Sequence, residues 1–110
     1  MAKLSGAQMV KLESLEEGRR KWDRVHKLVE LAAASPKSQG DLMRQCLRTS
    51  SEVGRFLSSN GFGALSNHAI ELASVIRRPG TFPSKVGALR EAVGKAYVGF
   101  DRARLDLQRG

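Results

Sequence analysis

Length, composition and charge describe a small basic domain and exclude several classes of protein. The chain has 110 residues, 27% of them charged, and a formal net charge of +8 at pH 7. That length suits one hydrophobic core, so we expect a single domain over residues 1–110. A lone cysteine excludes an internal disulfide, and the sequence has neither a signal-peptide hydrophobic region nor a bilayer-spanning apolar run. These features favour a cytoplasmic protein with no membrane partner.

The first predicted helix covers about Gly6–Ala34. Ser14 and Glu17 have the spacing of a capping box and offer a second starting point within this range. Pro36 ends the helix, because the residue before a proline is pushed out of the helical region. The apolar residues repeat at helical spacing: Leu15, Trp22, Val25, Val29 and Ala32.

The second predicted helix covers about Gln39–Ser58. Ser38 with Asp41 is a candidate capping box at its start. Asn60 and Gly61 have the composition of a left-handed helix end. Its apolar stripe consists of Leu42, Cys46, Thr49, Val53 and Phe56.

The third predicted helix covers about Gly61–Arg77, and Ser59 or Asn60 is its candidate cap. Pro79 and Gly80 stop it. The fourth covers about Ser84–Leu107, with Thr81 or Ser84 as its cap. The stripe of the third helix is Phe62, Leu65, Ala69, Leu72 and Ile76, and that of the fourth is Val86, Leu89, Val93, Ala96, Phe100, Ala103 and Leu107.

These elements predict an all-α protein, with no competing strand pattern. Short connections between amphipathic helices favour antiparallel neighbours, so we expect a four-helix, up-and-down antiparallel bundle. The alternative is a bundle of three long helices, in which the second and third are fused through a kink near Gly61.

The histidines and the cysteine, which are the usual candidates for catalysis, give little support for an enzyme. His26 lies on the polar side of the first helix, and His68 flanks an apolar stripe. Metal-binding bundles have Glu-x-x-His on two helices, whereas this sequence has one Asp-x-x-His, Asp23 with His26, and no second copy. Cys46 falls on an apolar stripe without a visible activating base. We therefore predict a non-enzymatic protein without a metal or cofactor.

The arginines are more informative, because several share one side of a helix. Arg44, Arg48 and Arg55 are separated by four and seven residues, which places them in one row on the second helix. Rows of guanidinium groups can follow a phosphate backbone, since each can make paired hydrogen bonds to phosphate oxygens. Further candidates for the same role are Arg77, Arg78, Arg102 and Arg104. The expected partner is RNA or single-stranded nucleic acid.

The glycine-rich stretch SSNGFGALSNH adds a narrower hypothesis. No strand is predicted before it, so it is not a dinucleotide-binding loop and is better interpreted as a corner between helices. Free amides at the start of the third helix would accept a phosphate, with Ser59 and Gly61 as the contact residues.

A local resemblance to a known family covers Arg55–Leu72. The sequence RFLSSNGFGALSNHAIEL has a helix that ends in Asn-Gly, then an apolar residue, a glycine and an apolar helix. It resembles the small helical subunit of type III CRISPR effector complexes, which is similar in size and charge. The resemblance implies a non-catalytic antiviral subunit whose copies stack along a ribonucleoprotein complex and support RNA through basic side chains.

A protein-interaction or oligomerisation module is the alternative function. In that case the basic surface confers solubility only, and the partners are other subunits or further copies of the chain. Trp22, Phe56 or Phe82 would anchor such a partner.

Overall fold

A computed structural model describes residues 4–109, which form four α-helices and no strand. No helix in this range is long and apolar enough to cross a membrane. A short 3-10 helix, Pro36–Ser38, joins the first two α-helices. The α-helices are α1, Gly6–Ala34; α2, Gln39–Ser59; α3, Gly63–Arg77; and α4, Phe82–Gln108.

The four helices form an up-and-down antiparallel bundle, as the sequence predicts. Helix α1 packs against α2 and α4, and α3 packs against the same two helices, so the chain runs around the bundle in sequence order. The three-helix alternative is wrong. Helix α3 folds back along α2 after a tight corner, and the two helices contact each other along their length.

The core consists of the predicted apolar stripes. Trp22 is its largest side chain and is only 1% exposed, and its indole Nε1 donates a hydrogen bond to the carbonyl of Val93, 3.3 Å away. A buried indole that satisfies its N–H in this way joins α1 to α4. Trp22 is therefore unable to anchor a partner at the surface. Other buried members are Leu15, Val25, Val29, Cys46, Val53, Leu57, Leu72, Leu89 and Phe100.

The helix starts differ from the expected caps. Helix α1 begins with a capping box made by Ser5 and Gln8, so Ser14 and Glu17 lie inside the helix and do not cap it. Ser38 precedes α2, but its side chain makes no capping hydrogen bond to residues 4–109. Arg44 instead takes the carboxylate of Asp41 as an ion-pair partner.

The corner between α2 and α3 depends on one glycine. Gly61 has a φ of +86°, in the left-handed region where a Cβ is unfavourable. Asn60 caps α2 with its backbone at a φ of −103°, so only Gly61 takes the left-handed conformation. The residue before α3 is Phe62, which means that neither Ser59 nor Asn60 is the cap.

Polar pairs run along the contact between α1 and α4. Glu30 accepts two hydrogen bonds from Arg90, at 3.0 and 2.9 Å, and Asp23 accepts one from the Tyr97 hydroxyl at 2.5 Å. Two further ion pairs join Arg19 to Asp101 and Arg104 to Glu16. Because the pairs progress in opposite directions along the two helices, they favour one antiparallel register.

Gly61→Ala tests the corner. We expect a loss of about 1–2 kcal/mol in the free energy of unfolding, because alanine is strained in the left-handed region. A Cβ at this position has room, with Lys11 Nζ 3.9 Å away, so the loss would come from the backbone. Gly63→Ala is the matched control and should leave stability unchanged or slightly raised. Equal stability of the two variants in urea denaturation would contradict this account.

Glu30→Gln tests the register pairs through their pH dependence. Hydrogen bonding to Arg90 lowers the pKa of Glu30. The pair therefore stabilises the fold above the unfolded-state pKa of about 4.3, and this contribution is lost as the pH falls through the lowered folded-state pKa. We expect the variant to be about 0.2–1 kcal/mol less stable than the parent at pH 7, as for exposed ion pairs, and equally stable near pH 2. A difference that persists undiminished at low pH would contradict it.

Candidate nucleic-acid interface

Small residues bring α2 and α3 close together. Ser50, Gly54 and Ser58 recur every four residues on α2, and the opposite positions on α3 are also small. A Cβ built at Gly54 would lie 3.2 Å from the Cβ of Ala69, so even one extra carbon is crowded there. Ser50 Oγ donates to the Ala69 carbonyl at 3.2 Å, and Ser58 Oγ donates to Ser66 Oγ at 3.3 Å. This close contact forms the floor of a groove on the outside of the bundle.

The α2–α3 groove has a volume of about 490 Å³. This lies within the range of known ligand-binding clefts. Its α2 side consists of Ser51, Gly54, Arg55, Ser58 and Ser59, and its α3 side of Ser66, Ala69, Ile70, Ala73 and Arg77.

The charged side chains in the described lining of the groove are all positive. Arg55 and Arg77 contribute two cations from different helices, and the described lining includes neither aspartate nor glutamate. Both arginines are exposed and have no ion-pair partner within residues 4–109. Ile70, also in the lining, is 66% exposed and offers an apolar surface between the polar groups. The arrangement can accept phosphate groups at its sides and an apolar or aromatic group in the middle.

The other two arginines of the predicted row lie outside the groove lining but on the same outer side of α2. Arg48 is exposed and has no ion-pair partner in the part of the chain that the structure describes. Arg44 forms an exposed ion pair with Asp41 one turn earlier, so a phosphate would compete with that carboxylate for the guanidinium group. The row predicted from the sequence therefore provides Arg48 and Arg55 as available cations.

The α3–α4 candidates do not join this surface as a group. Arg77 lines the groove, whereas Arg78 follows α3 in the connection to α4. Arg102 lies on the outer side of α4, and Arg104 is paired with Glu16 of α1 at 2.5 Å. The structure thus places Arg55 and Arg77 along one groove, and Arg102 and Arg104 on other parts of the bundle.

Ser59 and Gly61 do not lie at the start of α3, where the predicted phosphate contact with free amides would require them. Ser59 is in the last turn of α2 and lines the groove. The Gly61 amide donates to the Ser58 carbonyl at 3.3 Å, and α3 begins only at Gly63. Gly61 therefore provides the corner rather than a free amide, while Ser59 remains a candidate contact within the groove.

Of the three remaining reactive side chains, Cys46 and His68 are used in packing, whereas His26 is exposed. Cys46 is fully buried, and its thiol lies 4.0 Å from the Val25 carbonyl. His68 packs against α4, where a Cβ at Gly99 would lie 3.0 Å from His68 Nε2. His26 makes an edge contact with Tyr97. Within residues 4–109, no group of three or more His, Cys, Asp or Glu side chains is placed to hold a metal ion.

Among the uncharged residues that line the groove, only Ser59 was predicted from the sequence. Ser51, Ser58 and Ile70 were not among the predicted contacts, because the prediction was based on charge and charge selects arginines. A signal was present in the four-residue repeat of Ser50, Gly54 and Ser58, since small residues at this spacing let two backbones approach closely. That repeat indicates a tight helix pair, and such a pair leaves a groove beside any long side chains that flank it.

The site is interpreted from its geometry alone, because comparisons with known proteins gave no match. No family model matches the chain, and neither the curated proteins nor the solved structures include a match.

Cys46 gives a direct test of the packing assignment. Burial raises the pKa of its thiol to about 12, so both access and thiolate formation are suppressed in the folded chain. We expect a disulfide reagent such as Ellman's reagent to release no thiolate from the native protein at pH 8 and one equivalent in denaturing urea. Rapid reaction of the native protein would show that the thiol is accessible and would contradict the buried position.

Proposed function

We propose that the protein is a non-catalytic subunit that binds the backbone of RNA or single-stranded DNA along the α2–α3 groove. The observation that carries this proposal is that Arg55 and Arg77, from two helices, line one groove whose described lining holds no carboxylate. A strand with one negative charge per nucleotide complements such a surface, and release of its counterions favours binding.

The groove suits a backbone more than a specific base sequence. Arginine binds phosphate oxygens through two parallel hydrogen bonds, and serine hydroxyls add neutral hydrogen bonds to phosphate or sugar. Four serines flank the two arginines: Ser51, Ser58, Ser59 and Ser66. Ile70 can contact a ribose or a base face without distinguishing between bases. We therefore expect weak sequence preference and strong dependence on salt.

Arg48 extends the interface beyond the groove. It lies seven residues before Arg55 on the same side of α2, a distance of about 10 Å along the helix axis. A bound strand that leaves the groove on the α2 side can reach this guanidinium. Arg44 adds less, because Asp41 competes for it.

The resemblance over Arg55–Leu72 suggests the kind of complex in which the protein works. This segment contains the corner and much of the groove, so the part of the chain that resembles the small subunit of type III CRISPR effector complexes is also the part with the candidate interface. On this proposal the protein works in a cytoplasmic ribonucleoprotein complex for antiviral defence, with other subunits as its neighbours.

A protein-interaction module is the second candidate function. It is favoured by two exposed apolar residues on α4, Val98 and Leu105. The aromatic anchors expected for it are less suitable. Trp22 is buried, Phe82 is half-buried against the core, and Phe56 is half-buried beneath Lys21, whose Nζ lies 5.1 Å from the ring centre.

Reversing the two groove arginines, in Arg55→Glu/Arg77→Glu, tests the proposed function. We expect at least a tenfold weaker affinity for a fluorescent single-stranded RNA in anisotropy titrations. The slope of log affinity against log salt should fall by about 1.4, which corresponds to two lost phosphate contacts. The matched control is Arg24→Glu/Lys27→Glu, which changes the net charge equally at exposed positions of α1.

Two results would contradict the proposal. If the control weakens binding as much as the groove variant, binding depends on net charge and not on the groove. If the parent chain binds neither RNA nor single-stranded DNA in low salt, the nucleic-acid function is wrong. Thermal unfolding of each variant establishes that the substitutions leave the bundle folded.

A further inference from the structure

The outer face of α4 carries an unpartnered apolar strip. Val98 and Leu105 are 63% and 54% exposed and lie two helical turns apart, on the same side of the helix. Charged residues of both signs surround them in a shallow depression. We define the α4 outer face by the residues that line this depression: Val98, Asp101, Arg102, Leu105, Asp106 and Arg109.

Two glycines continue this strip towards the start of α4. Gly87 and Gly94 are exposed, and a Cβ built at either would meet no described atom within 4 Å. A helix-interior glycine is less favourable than alanine by about 1 kcal/mol, so the single chain derives no packing benefit from either. Gly99 differs, because a Cβ there would lie 2.9 Å from Leu65 of α3. In an antiparallel pair of α4 helices centred between Asp101 and Arg102, Gly94 faces Arg109 of the second copy and leaves room for its side chain, whereas Gly87 lies outside the overlap.

The pattern of charges on this face matches a second copy of itself. In an antiparallel pair of α4 helices with a two-fold axis between Asp101 and Arg102, Val98 of one copy faces Leu105 of the other. The same axis places Asp101 opposite Arg102, so the pair has two apolar contacts and two opposite-charge contacts. Asp101 also binds Arg19 of its own chain, and its carboxylate has oxygens for both guanidinium groups.

We propose that the protein forms a two-fold symmetric dimer through the α4 outer face. Such an interface is isologous, because the same patch serves both copies, and this is the commonest form of association among homo-oligomers. The described residues of the face come from α4 and its C-cap residue Arg109, and those of the groove only from α2 and α3. The dimer therefore leaves both grooves accessible, and it assigns Arg102 to association rather than to nucleic acid.

The mass of the nucleic-acid-free protein tests the dimer. In light scattering over a concentration series, we expect the mass to rise from 12.0 kDa towards about twice that value. Val98→Asp should remain at the mass of one chain, because it buries a carboxylate against an apolar residue. Ile70→Asp is the matched control, since Ile70 is equally exposed but lies in the groove, and it should associate like the parent.

Cysteine cross-linking tests the antiparallel arrangement. Val98→Cys/Leu105→Cys should form a disulfide-linked dimer under mild oxidation, because each new thiol faces the other position in the second copy. Val98→Cys alone should not, since two copies of this position are separated by about 10 Å along the axis, beyond the Cα separation that a disulfide allows.

Three results would overturn the proposal. They are a parent chain that stays at one mass at every concentration, a Val98→Asp variant that associates normally, and efficient cross-linking of Val98→Cys alone. None of these results depends on nucleic-acid binding, so failure of the dimer leaves the groove proposal in place. Failure of RNA binding would equally leave the mass measurements unaffected.

Discussion

The close approach of α2 and α3 is the constraint on which the candidate site depends. Gly54 and Ala69 bring the two backbones together, and hydroxyls of Ser50 and Ser58 complete the contact with hydrogen bonds instead of bulk. Larger side chains here would fill the groove and separate the helices. The left-handed Gly61 makes the approach possible, because it reverses the chain within three residues. The groove of the candidate interface therefore depends first on this backbone geometry, and the arginines add charge to it.

The same contact explains why only some of the arginines are available. On α1 and α4, cations such as Arg19, Arg90 and Arg104 are bound to carboxylates across the helix pair, where they favour its register. The α2–α3 pair is held by small residues and hydroxyls, so Arg55 and Arg77 are not needed to join the helices. Arginines therefore have different roles on the two sides of the bundle. On the α1–α4 side they join the helices, and on the α2–α3 side they form a surface that can bind anions.

The sequence predicted the helices and the bundle well, because each depends on local periodicity. The stripes containing Trp22, Val53 and Leu72 are buried as expected, and Pro36 and Pro79 lie in the connections. The predicted helix caps were less accurate. Many suitably spaced residue pairs fit the capping-box pattern, and only the backbone conformation shows that Ser5, and not Ser14, caps α1. The groove was not predictable from charge alone. Whether Arg77 shares a groove with Arg55 or with Arg102 depends on how the helices pack, which is set by contacts between distant residues.

The central claim is that the α2–α3 groove is where nucleic acid binds. The most direct measurement is a titration of isotope-labelled protein with a short single-stranded RNA, followed by amide NMR spectra. We expect the largest shifts to be confined to the groove, at residues such as Ser51, Gly54 and Ile70, and to be reversed by added salt. Shifts centred on the outer face of α4, or spread evenly over every exposed lysine and arginine, would contradict it.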